Sequence, residues 1–169
     1  MRKELEDILF ETAPIFYSEK GLDPTETCMC YGFECEDGWF EPLLDFSKMV
    51  EQINGLAIKC HFCFVASQVK QKFSDIRVYW HTKPCSGMCD ENPDDAEIKT
   101  LHSMMEDACS TLTERCRLTC EKCGSTVNIV TTGRWMQRLC EKCSRQLNGK
   151  QQGNNPRFSC QCYLFDQED

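Results

Sequence analysis

No stretch of this 169-residue chain stays apolar long enough to cross a bilayer as a helix, which excludes a helical membrane protein. The opening run MRKELEDILFE is charged within its first turn and lacks the apolar segment of a secretion signal, so the expected setting is cytoplasmic and reducing. Histidine is scarce, with three residues, and none of them begins the H-x-E pattern that a zinc deaminase requires. The run HTKPCSGMC comes nearest, but Thr82 and Lys83 follow His81, and three residues separate Cys85 from Cys89. No phosphate-binding loop, nucleophile elbow or H-E-x-x-H motif occurs. Catalysis is left without a candidate residue.

What the chain has in excess is cysteine, 15 residues of it. An odd number without an export signal argues against a disulfide framework, and clustered pairs in a reducing compartment point to metal, with zinc the default. The net charge of −8 is unevenly spread. Cys116 to Lys150 holds seven basic and two acidic residues, a balance of +5, which leaves −13 for the remainder, concentrated in DENPDDAE and the first fifty residues. Such asymmetry fits either an electrostatic footprint for a partner or a ribbon whose lysines and arginines keep it in solution.

The pattern of apolar residues predicts an α+β protein: N-terminal helices, an antiparallel β-hairpin, one long helix and a treble-clef or ribbon-like four-cysteine zinc finger. Leu5, Ile8 and Leu9 share one face of a first helix. Trp39, Leu43, Phe46, Val50 and Ile53 mark a second, with Asp37 as N-cap and Gly55 as its C-terminal glycine. AIKCHFCFVASQV and DIRVYWH read as the two strands of a hairpin turning near Phe73 and Ser74. The long helix is capped by Asn92, opened by Pro93 and striped by Ile98, Leu101, Met105, Ala108 and Leu112. The expected division is a body over 1–115, a finger over 116–148, and a linker with a strand-like acidic tail over 149–169.

Cys120, Cys123, Cys140 and Cys143 form the spacing C-x2-C-x16-C-x2-C. A two-residue gap lets both sulfurs of a tight turn reach one ion at about 2.3 Å, and four thiolates complete a tetrahedron with no position left for substrate. Gly124 supplies the backbone freedom that such a turn needs, and Gly133 reverses the chain toward Trp135 and Leu139. One Zn²⁺ is therefore expected. A hairpin turning at Phe73 and Ser74 places residue 63 opposite 84 to 86, so Cys60, Cys63, Cys85 and Cys89 offer a second metal set with His61 and His81 as spare ligands. Packed free cysteines or a redox-labile pair are the alternatives there. Cys28 with Cys30, and Cys160 with Cys162, would each present two thiols on one side if extended. Cys109 and Cys116 fit as buried apolar side chains. Arg134, Trp135, Arg138 and Lys142 combine cations with an aromatic ring and form the candidate nucleic-acid surface, unless Trp135 serves the core instead.

CYGFECEDGWFEPLLDF, SQVKQKFSDIRVYW and TCEKCGSTVNIVTTGRWMQRLCEKC occur in that order between Cys30 and Cys143. Together they resemble an uncharacterised family of small phage and bacterial proteins with a G-F-E-C-G-D-G-W segment, a Q-V-K-E-K-F-G-G-L-R-F-Y hairpin and a terminal C-x2-C…G-W…L-C-x2-C finger. Glu36 stands where that pattern has glycine, Ser74 and Asp75 replace its paired glycines, and Cys60, Cys63, Cys85 and Cys89 lie outside it. The resemblance implies a phage-linked setting in a bacterial host cytoplasm and transfers no catalytic residue. The resulting expectation is a zinc-binding interaction protein with a host or cellular protein as partner. Nucleic-acid binding by the finger comes second, and a thiol-redox or metal-dependent enzyme third.

Overall fold

Trp39, Leu43, Phe46, Val50 and Ile53 are all buried along α2 (Phe40–Ala57) and the turn before it in the computed structural model, which describes residues 1–85, 94–133 and 136–152, the last five as backbone. The helix starts later and ends later than its caps suggest. Asp37 opens a single 3-10 turn, Asp37–Trp39, and its carboxylate accepts hydrogen bonds from the backbone N–H (2.7 Å) and Nε of Arg2 instead of capping α2. Gly55 lies inside the helix, which runs into a 3-10 turn, Ile58–Cys60, and stops at His61 with φ 64°. What ties this end down is the buried Asn54. Its Oδ1 accepts from Phe64 N–H at 2.8 Å and its Nδ2 donates to the Phe64 carbonyl at 3.0 Å.

β2 (Phe62–Lys72) and β3 (Asp75–Pro84) form the expected antiparallel hairpin. Its two-residue turn holds Phe73 at φ 53° and Ser74 at φ 64°, the left-handed pair that matches strand twist. The register slips between Ala66 and Gln68, so Cys63 lies opposite Lys83, one position short of the expected range. A two-residue strand, β1 (Phe33–Glu34), adds to β2 in parallel, with Phe33 opposite Val69. The segment before it, irregular by sequence, feeds Ala13, Phe16, Tyr17 and Met29 into the core. Cys28–Tyr31 is a 3-10 turn, not a strand, so residues two apart do not share a side. Cys28 is exposed, and the half-buried Cys30 thiol donates to the Thr27 carbonyl.

α1 (Lys3–Thr12) buries Leu9 but leaves Ile8 exposed, because Leu9, Phe10 and Ala13 make the contact face. α3 (Asp95–Arg117) is capped by Asp94, whose carboxylate accepts from Ala96 N–H; the proposed cap residues Asn92 and Pro93 lie outside the described residues. Leu101, Met105, Ala108, Leu112 and Cys116 form its buried stripe against α2 and the sheet, and Ile98 is half-buried at its start. Cys109 is half-buried against the same core.

Asp75 joins three elements at the hairpin tip. Both its oxygens accept from Arg117 at 3.0 Å, and Arg138 reaches within 3.9 Å. The Arg117 guanidinium holds the Asp75 carboxyl below the usual aspartate range. A group with a lowered folded pKa stabilises the fold above its unfolded pKa and loses that contribution as pH falls through the folded value. Asp75→Asn should therefore cost about 1–2 kcal/mol near neutrality in urea melts and little in acid, since Arg117 is partly exposed and screened.

Candidate metal centre

α3 ends at Arg117, and Thr119 Oγ1 donates to the Arg115 carbonyl at 2.7 Å to close its last turn. The chain then wraps tightly. Cys120 N–H donates to Ser125 O at 2.8 Å and Gly124 N–H to Cys120 O at 2.9 Å, with Gly124 at φ 75° as the sequence requires. β4 (Ile129–Thr131) and β5 (Arg138–Cys140) pair antiparallel and return the chain to this turn, where Glu121 N–H donates to Arg138 O at 2.8 Å. α4 (Glu141–Gln152) begins immediately after Cys140. It runs on to Gln152, past the expected end of the finger at 148 and into the stretch expected to be a linker.

This order delivers four sulfurs to one point. The thiols of Cys120, Cys123, Cys140 and Cys143 lie within 4.8 Å of one another, and those of Cys123 and Cys140 are 3.7 Å apart. A tetrahedral ion with bonds of about 2.3 Å sets its sulfurs about 3.8 Å apart, whereas a disulfide needs about 2.05 Å. The separation fits a shared ion. Cys140 stands at the helix N-cap position and takes the Cys143 N–H, which holds its thiol down to about 7. Ser125 N–H donates to the Cys123 sulfur, yet burial and the neighbouring thiols leave Cys123 raised overall. Burial pushes Cys143 up to about 12. Four thiols this close carry negative charge together only with a cation among them, the role a bound metal ion fills. The four-cysteine cluster can hold a metal ion.

The centre has almost no apolar core of its own. Its buried cluster is Cys120, Leu139, Cys140 and Cys143, flanked by Ile129 and Leu147. It leans on the body instead. Gly38 N–H donates to Glu121 O at 2.7 Å, and the buried Trp39 indole donates to Thr119 O at 3.1 Å. Gly38 is the contact point: a Cβ there would lie 2.2 Å from Cys120 O and 2.5 Å from both Glu121 O and Gly124 N. Glu121 is buried beside this seat, accepts from Glu36 N–H at 3.4 Å through one oxygen, and is pushed up to about 7 chiefly by burial. Sequence reading missed Gly38 and Glu121 as parts of the centre. The E-D-G-W run reads locally as a helix start and carries no sign of this long-range contact.

At the hairpin base, Cys60 and Cys63 are buried and Cys85 is half-buried. Burial, then Cys85, pushes Cys63 up to about 12. Cys85 N–H donates to His61 O at 2.9 Å, His81 pairs with the buried Glu19 at 3.3 Å, and Cys89 lies outside the described residues. Among the described residues, three or more metal-binding atoms gather only at Cys120, Cys123, Cys140 and Cys143. Of the candidate nucleic-acid residues, Arg134 and Trp135 lie outside the described residues, as do Cys160 and Cys162. Lys142 is exposed, and Arg138 turns toward the hairpin, its Nε 3.4 Å from Ser74 O. No described helix is long and apolar enough to cross a membrane. Comparison with protein-family models, curated proteins and solved structures finds no match to this chain.

Proposed function

We propose that the protein is a non-enzymatic binding protein whose C-terminal third is shaped by one structural Zn²⁺ held by Cys120, Cys123, Cys140 and Cys143. The observation that carries this reading is the four-thiol cluster itself: one exposed and three buried cysteines whose sulfurs lie within 4.8 Å of one another, enough donors to fill a tetrahedral shell from protein alone. A turn with two ligands, a hairpin and a helix whose first turn brings the other two support a treble-clef-type finger. Zinc fits the all-sulfur donor set better than magnesium or calcium, which prefer oxygen. A metal so enclosed polarises no substrate. The Cys60/Cys63 pair does not favour a redox role either, because a thiol raised to about 12 is almost never a thiolate at neutral pH.

The family resemblance supports a phage-linked setting, and the acidic helices α1 and α3 suit a host protein with a basic surface. Arg138 is drawn toward Asp75 and Ser74, which weakens the case for the finger as the nucleic-acid surface. Elemental analysis of the chain purified without added metal tests the reading. One zinc per chain is expected, and Cys143→Ser should abolish it. A metal-free chain that keeps its fold would overturn the proposal.

A further inference from the structure

We propose that the outer face of the β2–β3 hairpin binds single-stranded nucleic acid. This goes beyond the zinc reading and uses a different surface from the finger. Strand alternation sends Val69 and Ile76 into the core, and it sends Gln68, Lys70 and Lys72, with their cross-strand partners Tyr79, Arg77 and Asp75, to the opposite face.

Two features mark that face and the turn beside it. Lys70 and Arg77 stand directly opposite one another, a like-charge pairing that weakens a hairpin. Among the described residues, no carboxylate lies within 4.0 Å of the cationic groups of Lys70, Lys72 or Arg77. The nearby acids are engaged: Asp75 by Arg117, and Glu34, the neighbour of Lys70 on β1, by the Gln68 amide. Phe73 and Tyr79 are the second feature. They are 65% and 45% exposed, outside the core, with Lys72 Nζ 5.5 Å and Lys70 Nζ 5.3 Å from their ring centres.

Cations interleaved with open aromatic faces are what a single strand needs, phosphates meeting the charges and unpaired bases stacking on the rings. The rungs from Gln68 to Lys72 span about 13 Å, room for a short run of nucleotides. Duplex DNA hides its base faces and cannot use the rings. An acidic protein partner would use the cations but has no need of Tyr79 and Phe73 as stacking platforms.

The test is fluorescence anisotropy of labelled oligothymidylate with the full zinc-loaded chain. Binding should weaken with salt at a log–log slope of roughly −2 to −3, for three or four phosphates. Combined Lys70→Gln, Lys72→Gln and Arg77→Gln should weaken it at least about tenfold and flatten the slope, and Tyr79→Ala should weaken it about tenfold. Arg145→Gln on α4 should change nothing. All variants alter surface residues, and retained zinc content and melting temperature verify their folding. No binding at low salt, binding unaffected by the triple variant, or equal affinity for duplex would overturn the proposal. So would Tyr79→Ala leaving oligothymidylate and heparin binding alike unchanged, which would mark a general polyanion patch.

Discussion

Replacing Gly38 with alanine should unseat the Cys120–Gly124 turn and lower the melting temperature by roughly 6–12 °C. The added methyl would sit 2.2 Å from the Cys120 carbonyl oxygen and 2.5 Å from Glu121 O and Gly124 N. All three are backbone atoms of the turn that carries the first two ligands, so no side-chain rotation relieves the clash. Forced displacement loses the Gly38–Glu121 and Trp39–Thr119 hydrogen bonds as well. Overpacking and two buried hydrogen bonds together amount to about 3 kcal/mol. Gly55→Ala is the control. Nothing lies within 4 Å of its added carbon, and the site is inside α2, so it should stabilise by about 0.5–1 kcal/mol. Thermal melts of the two variants side by side separate crowding at the seat from a generic effect of removing glycine.

Chelation should have a larger effect still. Zinc binding at a four-thiolate site amounts to about 10 kcal/mol or more of folding free energy. With the ion gone, Leu139 is the one fully apolar buried residue left in the finger cluster, beside three buried cysteines that would repel or protonate. The finger should unfold, while the separate body core around Leu9, Phe16, Phe46 and Met105 persists. Trp39 reports the event, because its indole loses the Thr119 acceptor and meets water, so its emission should shift to the red. Circular dichroism should show loss of α4 with most of α2 and α3 retained. Unchanged spectra after complete metal removal would mean that the turn and hairpin hold themselves.

Local chemistry made part of this legible from sequence, and distance hid the rest. The CEKC spacing announced the metal cluster because two thiols around a tight turn require those intervals wherever the turn lies. The α2 and α3 stripes were equally visible, since helical period and burial reinforce one another from Leu43 to Ile53 and from Leu101 to Leu112. Gly38 was not visible as a seat, because its partner is the Cys120–Gly124 turn more than eighty residues away, and nothing in E-D-G-W encodes that approach. β1 is two residues long and has no period to detect. Asp37 had the chemistry of an N-cap, but Arg2 claimed its carboxylate, a tertiary bond overriding a local preference. The Cys28–Cys30 side-sharing failed for a similar reason: four residues that could be extended wind into a 3-10 turn that buries Met29. At the hairpin base, one bulge between Ala66 and Gln68 shifted the register and moved the rung facing Cys63 to Lys83.

X-ray absorption at the zinc edge of the purified chain tests the central claim most directly. The account predicts a single shell of four sulfur neighbours at about 2.3 Å, with no nitrogen or oxygen in the first shell. Two or three sulfurs with nitrogen or oxygen completing the shell, or zinc lost while the thiols of Cys120, Cys123, Cys140 and Cys143 pair as disulfides, would contradict it.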